Sequence, residues 1–501
     1  QRLDAPGILP GQELLDLKPV LHPRFESEHA THKLPGRDIG NLRQRGDKAL
    51  QRERRPRRGN AMDDHRNGSP EPQDPLERSE SITYEKLYEH WEKNNWSAAG
   101  IDFTIDKEQW NERLTERQRE SALWNYAMFL VGEEAVARTL TPVLDAAPGF
   151  PESIFLTTQI VDEARHHVFF DRFMREVASQ GRDTQSTLDA VDRHLTWGFR
   201  QVFGELDRVT DALRKKPKDM ELLAQTVALY HIVIEGMLAI PGQHFIQRYV
   251  EKLEILPGFS EGITNVSRDE ARHVAFGIKF LGDLVRSSAD CRAASIEMLD
   301  KVTRYAVGVF VPPNYDSSYA ECFDFTLEEI YAFGYRSLIT KLKRLGIDPT
   351  EIRMLARQDP SLSYEEHAKN LWVLIRAGVL GDDRREPELN PEALELLFDG
   401  MARSLNLEVA RSLGGPIQWE FPDAEPWHLR LDNGSTAAEP GRAPDPDVEL
   451  KVAFDDWVDV IAGRLDAKRA VATRRLRLKG SPRALWRARG IFGTCTASAS
   501  R

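Results

Sequence analysis

The pentapeptide Asp-Glu-Ala-Arg-His occurs twice in this chain, at Asp162–His166 and Asp269–His273. Each copy spaces a Glu and a His three residues apart, so on a helix the two side chains share a face. One such pair alone is ordinary surface or capping chemistry. Two of them, joined by a single Glu from each of two other helices, make the ligand set of a di-metal carboxylate site inside a four-helix bundle. The two extra carboxylates are Glu133 in Val-Gly-Glu-Glu-Ala-Val and Glu235 in Ile-Val-Ile-Glu-Gly-Met-Leu-Ala. Both sit in apolar runs, and a buried carboxylate without a partner is costly. The expected metal ligands are therefore Glu133, Glu163, His166, Glu235, Glu270 and His273.

Glu and His ligands without Cys select metals such as Fe and Mn. Two metal ions of this kind are expected, with positions left for O2. A metal-bound His commonly passes its other N–H to a carboxylate. In a two-fold-related bundle Asp162 would face His273 and Asp269 would face His166, with Arg165 and Arg272 pairing with those Asp. His167 points off the ligand face and reads as structural.

The surrounding pattern is helical from about Ile82 to Leu345. Long helices are expected at Gln118–Leu140, Pro151–Ser179, Asp189–Leu213, Glu221–Leu253, Ser260–Val285 and Cys322–Leu345, with Pro142, Pro217 and Pro257 at breaks. This is an all-α bundle of ferritin-like layout, assigned to residues 81–345. Residues 1–80 are rich in Arg, Pro, Asp and Gly and are expected to be disordered. The first Met is Met62, which leaves open whether residues 1–61 belong to the natural protein. A linker with helical segments is expected at 346–387. After it, alternation at Ile417, Trp419 and Phe421, at Trp427, Leu429 and Leu431, and at Leu450, Val452 and Phe454 reads as half-buried strands. Asp455–Gly463 reads as a short helix with an Asp cap, Leu476 and Leu478 as a last strand, and Arg483–Arg489 as helix. These elements make a small α+β domain at 388–493, with a tail at 494–501.

The net charge of −11 argues against nucleic-acid binding. No integral membrane segment and no signal peptide are expected. Cys291, Cys322 and Cys495 lie far apart, which suits a cytoplasmic location.

The stretch from Trp96 to Leu345 resembles the ribonucleotide reductase small-subunit family, and within it the R2-like ligand-binding oxidases. The resemblance rests on Ile101-Asp102-Phe103-Thr104, Gly132-Glu133-Glu134-Ala135-Val136, both Glu-x-x-His pairs and Glu235-Gly236-Met237-Leu238-Ala239. It implies O2 activation at a Mn/Fe or di-iron pair, a long-chain fatty acid or other hydrophobic ligand, and an unidentified electron donor. It also implies a Val–Tyr ether cross-link, here Val136 and Tyr230, and a possible homodimer. In a regular helix Tyr230 lies about 140° from Glu235, so reaching Val136 requires local irregularity or a ring that leans across. His231 aligns better with Glu235 and is a rival ligand or supporting group.

The alternative implied by the broader family is a radical-generating reductase subunit. Against it, the radical Tyr position four residues after His166 holds Phe170, and no Tyr follows Tyr364. A further alternative is a lipid-transport protein with a structural metal site. The region Asn390–Phe492 resembles sterol-carrier-protein-2-like domains through Asp447-Val448-Glu449-Leu450, Asp456-Trp457, Gly463-Arg464-Leu465-Asp466 and Leu476-Arg477-Leu478-Lys479-Gly480. That resemblance implies a hydrophobic tunnel and delivery of a lipid-like substrate.

Overall fold

The computed structural model describes residues 82–382, 386–405, 413, 415–432 and 435–487. The expected disordered segment 1–80 and the tail 494–501 lie outside the described residues. Everything described belongs to one compact unit, mostly helical, with a small mixed sheet near its C-terminal end.

Local signals set the helix ends. Helix α1 (Tyr84–Lys93) is capped by Thr83. Helix α2 (Glu116–Thr139) starts at a capping box of Thr115 and Gln118. Helix α3 (Phe150–Glu176) opens with Pro151 in its first turn, where the missing N–H costs nothing. Helix α4 (Met220–Leu253) is continuous but changes character: Ala228–Ala239 is π-helical. Helix α5 (Pro257–Ser287) again opens on Pro.

The start of α5 is secured from a distance. The buried Asp106 carboxylate accepts the backbone N–H of Gly258 at 2.9 Å and of Phe259 at 2.7 Å. Two of the helix's otherwise unpaired donors are thereby satisfied.

Two glycines let α5 run close to its neighbours. A Cβ on Gly262 would lie 2.0 Å from the Phe169 ring, and one on Gly277 would lie 2.1 Å from the Cβ of His231. Around them Phe155, Phe169, Phe170, Phe173, Phe259 and Phe276 are fully buried and pack ring against ring.

Two expected boundaries shift for identifiable reasons. The expected helix Asp189–Leu213 is split: one helix ends at Val191 and α-helix resumes at Trp197, where the Thr196 side chain caps Phe199 N–H. The expected Cys322–Leu345 helix begins at Leu327, because Thr326 and Glu329 form a capping box there. Helix α4 bears on the expected absence of a membrane segment. Among the described residues it is long and apolar enough to cross a membrane, but 83% of its most apolar stretch is buried in the protein.

Helix α6 (Leu327–Leu345) closes the bundle, and α7 (Tyr364–Arg376) packs on it. Trp372 and Ile375 of α7 belong to the bundle's core. Next comes α8 (Pro391–Ser404), capped by Asn390. The sheet holds β1 (Ile417–Glu420), β2 (Trp427–Asp432), β3 (Ser435–Pro440), β4 (Val448–Val452) and β5 (Leu476–Gly480), in the order β3-β2-β1-β4-β5. β1 and β4 run parallel; the other neighbours are antiparallel. Strand β3 has no sequence signal, because Ser-Thr-Ala-Ala-Glu-Pro lacks the large alternating residues of the others.

Phe398 of α8 covers the sheet, stacked on Trp427 at 5.1 Å and edge-on to Trp419 at 5.2 Å. Phe454, expected as strand, opens helix α9 (Phe454–Ile461). The expected cap on that helix is also corrected. Its first N–H, from Phe454, is taken by Asp423 at 3.1 Å from another loop, not by an adjacent Asp.

Replacing Asp106 by Ala strips two buried donors of their acceptor, and thermal unfolding should report a loss of about 2 kcal/mol. Asp106→Asn keeps one acceptor oxygen and should lose less.

Candidate metal centre

Four helices deliver six buried side chains to one point. Glu133 comes from α2, Glu163 and His166 from α3, Glu235 from the π segment of α4, and Glu270 and His273 from α5. Their ligand atoms fall into two overlapping groups, Glu133, Glu163, His166 and Glu270, and Glu163, Glu235 and His273; within each, all lie within 4.8 Å of one another.

The arrangement is close to two-fold symmetric. His166 Nδ1 faces Glu133 Oε2, Glu163 Oε2 and Glu270 Oε1, each at 3.5 Å. His273 Nδ1 faces Glu163 Oε1 at 3.2 Å, Glu235 Oε1 at 3.5 Å and Glu270 Oε2 at 3.9 Å. Glu163 and Glu270 therefore each turn one oxygen toward either imidazole, as bridging carboxylates do. Glu133 and Glu235 each serve one side.

Electrostatics sharpen the requirement for cations. Burial pushes Glu133 well up and Glu235 to about 8. It also raises Glu270. Burial works the same way on Glu163, but His273 and His166 outweigh it and hold Glu163 well below the usual range. Desolvation disfavours charge on the imidazoles, yet the adjoining carboxylates, Glu133 at His166 and Glu163 at His273, raise both well above an ordinary histidine. Both Nδ1 atoms, with Glu235 Oε2 and Glu270 Oε2, are buried without a hydrogen-bond partner among the described residues. Such acceptors are rarely left unsatisfied in a folded protein. The donor set fits two divalent cations, which would neutralise four carboxylates and occupy the orphaned nitrogens.

The outer face of each imidazole is fixed. His273 Nε2 meets Asp162 Oδ2 at 3.1 Å, and His166 Nε2 meets Asp269 Oδ2 at 3.3 Å. Asp162 and Asp269 thus each reach the histidine of the other motif copy. Donating Nε2–H to a carboxylate leaves Nδ1 as the lone-pair donor toward the centre. Arg165 and Arg272 each touch both Asp. Although burial raises an Asp, His166 and Arg272 hold Asp269 well below its ordinary value.

Two tryptophans, which motif spacing could not reveal, complete this ring. Trp91 Nε1–H donates to Asp162 at 2.9 Å and Trp96 Nε1–H to Asp269 at 2.8 Å.

The π segment places Tyr230. The wider turn of a π-helix brings Tyr230 nearer the face of Glu235 than an α-helix would, and its hydroxyl donates to Glu163 Oε1 at 2.8 Å. His231, one residue on, packs beside Gln159. Its Nε2 meets Gln159 Oε1 at 3.2 Å, and burial, with the nearby His273, pushes its pKa down to about 3. His231 therefore stands as a neutral neighbour of Gln159 and not among the grouped ligand atoms.

Gln159 is the polar residue the motif reading missed. Its amide donates to Glu235 Oε1 at 2.7 Å and to Glu163 Oε1 at 3.3 Å. It stands four residues before Glu163 on the same helix face, which is the signal that could have found it. A cavity of about 80 Å³ opens beside the cluster, lined by Glu133, Val136, Tyr230 and Glu235 and by apolar side chains including Phe129, Phe199, Phe203 and Phe310.

Residues 78–309 match the family model described as ribonucleotide reductase, small chain, and residues 395–492 match the SCP-2 sterol transfer family. The chain thus carries, in order, a region similar to the reductase small chain and a region similar to the SCP-2 sterol transfer family. Solved structures of R2-like ligand-binding oxidase variants resemble it at 24% identity and a TM-score of 0.47, covering 54% of this chain and 94% of theirs. One carries an aerobically and another an anaerobically reconstituted Mn/Fe cofactor.

Metal binding at this centre requires its histidines and carboxylates to be free of protons. Against desolvation, the adjoining carboxylates raise His166 and His273, and burial raises Glu235 to about 8. Affinity for Mn(II) should therefore rise as the pH rises through neutrality toward 8, with proton release visible by calorimetry in buffers of different ionisation enthalpy. Glu163→Gln removes charge from the carboxylate shared by both groups, and the bound metal should fall below two ions per chain.

Proposed function

We propose that this protein is an O2-activating di-metal oxidase of the R2-like ligand-binding type, acting on or holding a fatty-acid-like ligand, with the SCP-2 domain as lipid carrier. In this reading Glu133, Glu163, His166, Glu235, Glu270 and His273 hold a Mn/Fe or di-iron pair, and Asp162 and Asp269 orient the two histidines. A cytoplasmic location accords with Cys291 and Cys322 standing as free thiols.

The observation that carries the proposal is the position of Tyr230. Its hydroxyl rests on Glu163, and it lines the same apolar cavity as Val136 beside the cluster. The buried counterpart at the radical position of reductase subunits is Phe170, which has no hydroxyl to oxidise.

A redox-active metal pair would supply the power to reduce O2 and remove hydrogen. The chain's residues direct it. Burial and the Glu163 charge raise the Tyr230 phenol well above its ordinary pKa, so the phenol keeps its proton until a partner accepts it. Glu163 Oε1 stands ready as that acceptor. The aromatic and aliphatic cavity walls exclude water and leave C–H bonds facing the cluster. Forming an ether between Tyr230 Oη and a carbon of Val136 removes the phenolic hydrogen and one C–H hydrogen, with O2 accepting the two electrons and two protons.

Loading with Fe(II) and Mn(II) without oxygen, followed by exposure to O2, should give oxygen uptake. Intact mass should drop by two hydrogens, mapped to the peptides containing Val136 and Tyr230. Tyr230→Phe should keep metal binding and lose the mass change. A protein that binds both metals yet consumes no O2 would contradict the oxidase reading.

A further inference from the structure

The C-terminal domain is not separated from the bundle by solvent. Between α7 on one side and α8 and α9 on the other lies a cavity of about 340 Å³, walled mainly by apolar residues including Leu374, Leu397, Trp457 and Ile461. A second, much smaller cavity of about 20 Å³ lies within the bundle. Met354, Gln358 and Leu371 line both. Leu238 and Phe310 in turn line both the small cavity and the one beside the metal cluster. Three cavities thus stand in series, from the domain seam to Glu133 and Glu235, with shared side chains as the partitions between them.

The partitions and the polar groups point to one ligand chemistry. Met and Leu change rotamer readily, so the outer partition can yield to a slender chain. The narrow middle cavity suits a single flexible acyl chain and not a fused-ring body. The seam also carries charge: Arg403 pairs with Asp359 at 2.9 Å and lies 3.8 Å from Asp399, so a polar ligand end has polar surroundings there.

We propose that a single-chain fatty acid enters at the seam between α7, α8 and α9 and threads past Leu371, then past Leu238 and Phe310, to reach the cavity beside the metal cluster. The SCP-2 domain would then supply the cluster through the protein interior. This takes the cluster cavity as the reacting end, as proposed above, but occupancy of the route is read without any O2 chemistry.

The test is photolabelling of the full-length, metal-loaded protein with palmitate carrying a diazirine at its ω end, followed by peptide mapping. Adducts are expected both at the seam, around Leu371 and Leu397, and beside the cluster, in the peptide spanning Met128 to Val136. Leu371→Trp, which fills the outer junction, should retain seam adducts and lose those at the cluster. Leu371→Ala, which opens it, should increase them, and this variant decides the matter if the bulky one fails to fold. Cluster labelling that is unchanged by both substitutions would overturn the route, as would an absence of seam adducts in the unmodified protein. A diazirine sterol that labels the cluster peptide would overturn the assignment to a flexible chain.

Discussion

Four carboxylates and two imidazoles share one buried volume, and that crowding is the constraint on which the rest of the structure depends. Each carboxylate alone would be driven toward its neutral form by burial. Together they need compensating positive charge at the centre. The surroundings hold the ligands in place for it. Asp162 and Asp269 fix the imidazoles from outside, Arg165 and Arg272 tie the two Asp together, and Trp91 and Trp96 close the ring. Such outer partners govern orientation and basicity as much as the ligands do.

The metal face was legible because helical spacing is a rigid rule. Two Glu-x-x-His pairs and two apolar-flanked Glu could be read as one site before any coordinates were known, and the structure brings all six together. The cross-pairing of each Asp with the other copy's His also follows from two-fold symmetry alone. What spacing could not supply was the departure from spacing. Under α-helical geometry Tyr230 points away; the π segment brings it to the centre, while His231 packs beside Gln159. Nothing in Ala-Leu-Tyr-His-Ile-Val-Ile-Glu announces a five-residue hydrogen-bond step. The close passage of α5 at Gly277 against His231 shows how tightly that segment is packed once formed.

The C-terminal domain was legible where large residues alternate and obscure where they do not. Trp419, Trp427 and Leu450 mark strands that bury one face, whereas β3 is built from small and polar residues and is held by pairing with β2. The Asp423 cap on α9 and the Asp106 cap on α5 were equally hidden, because each comes from a segment distant in sequence. Tertiary contacts, not local propensity, decide those ends. The same dependence on distant segments shapes the seam, where α7 contributes to the bundle's core on one side and meets α8 on the other.

Anomalous diffraction from crystals loaded with iron and manganese, recorded at both absorption edges, tests the central claim most directly. Two peaks are expected, one bonded to His166 Nδ1 and one to His273 Nδ1, with Glu163 and Glu270 reaching both. A single peak, or metal bound away from these six side chains, would contradict the di-metal centre.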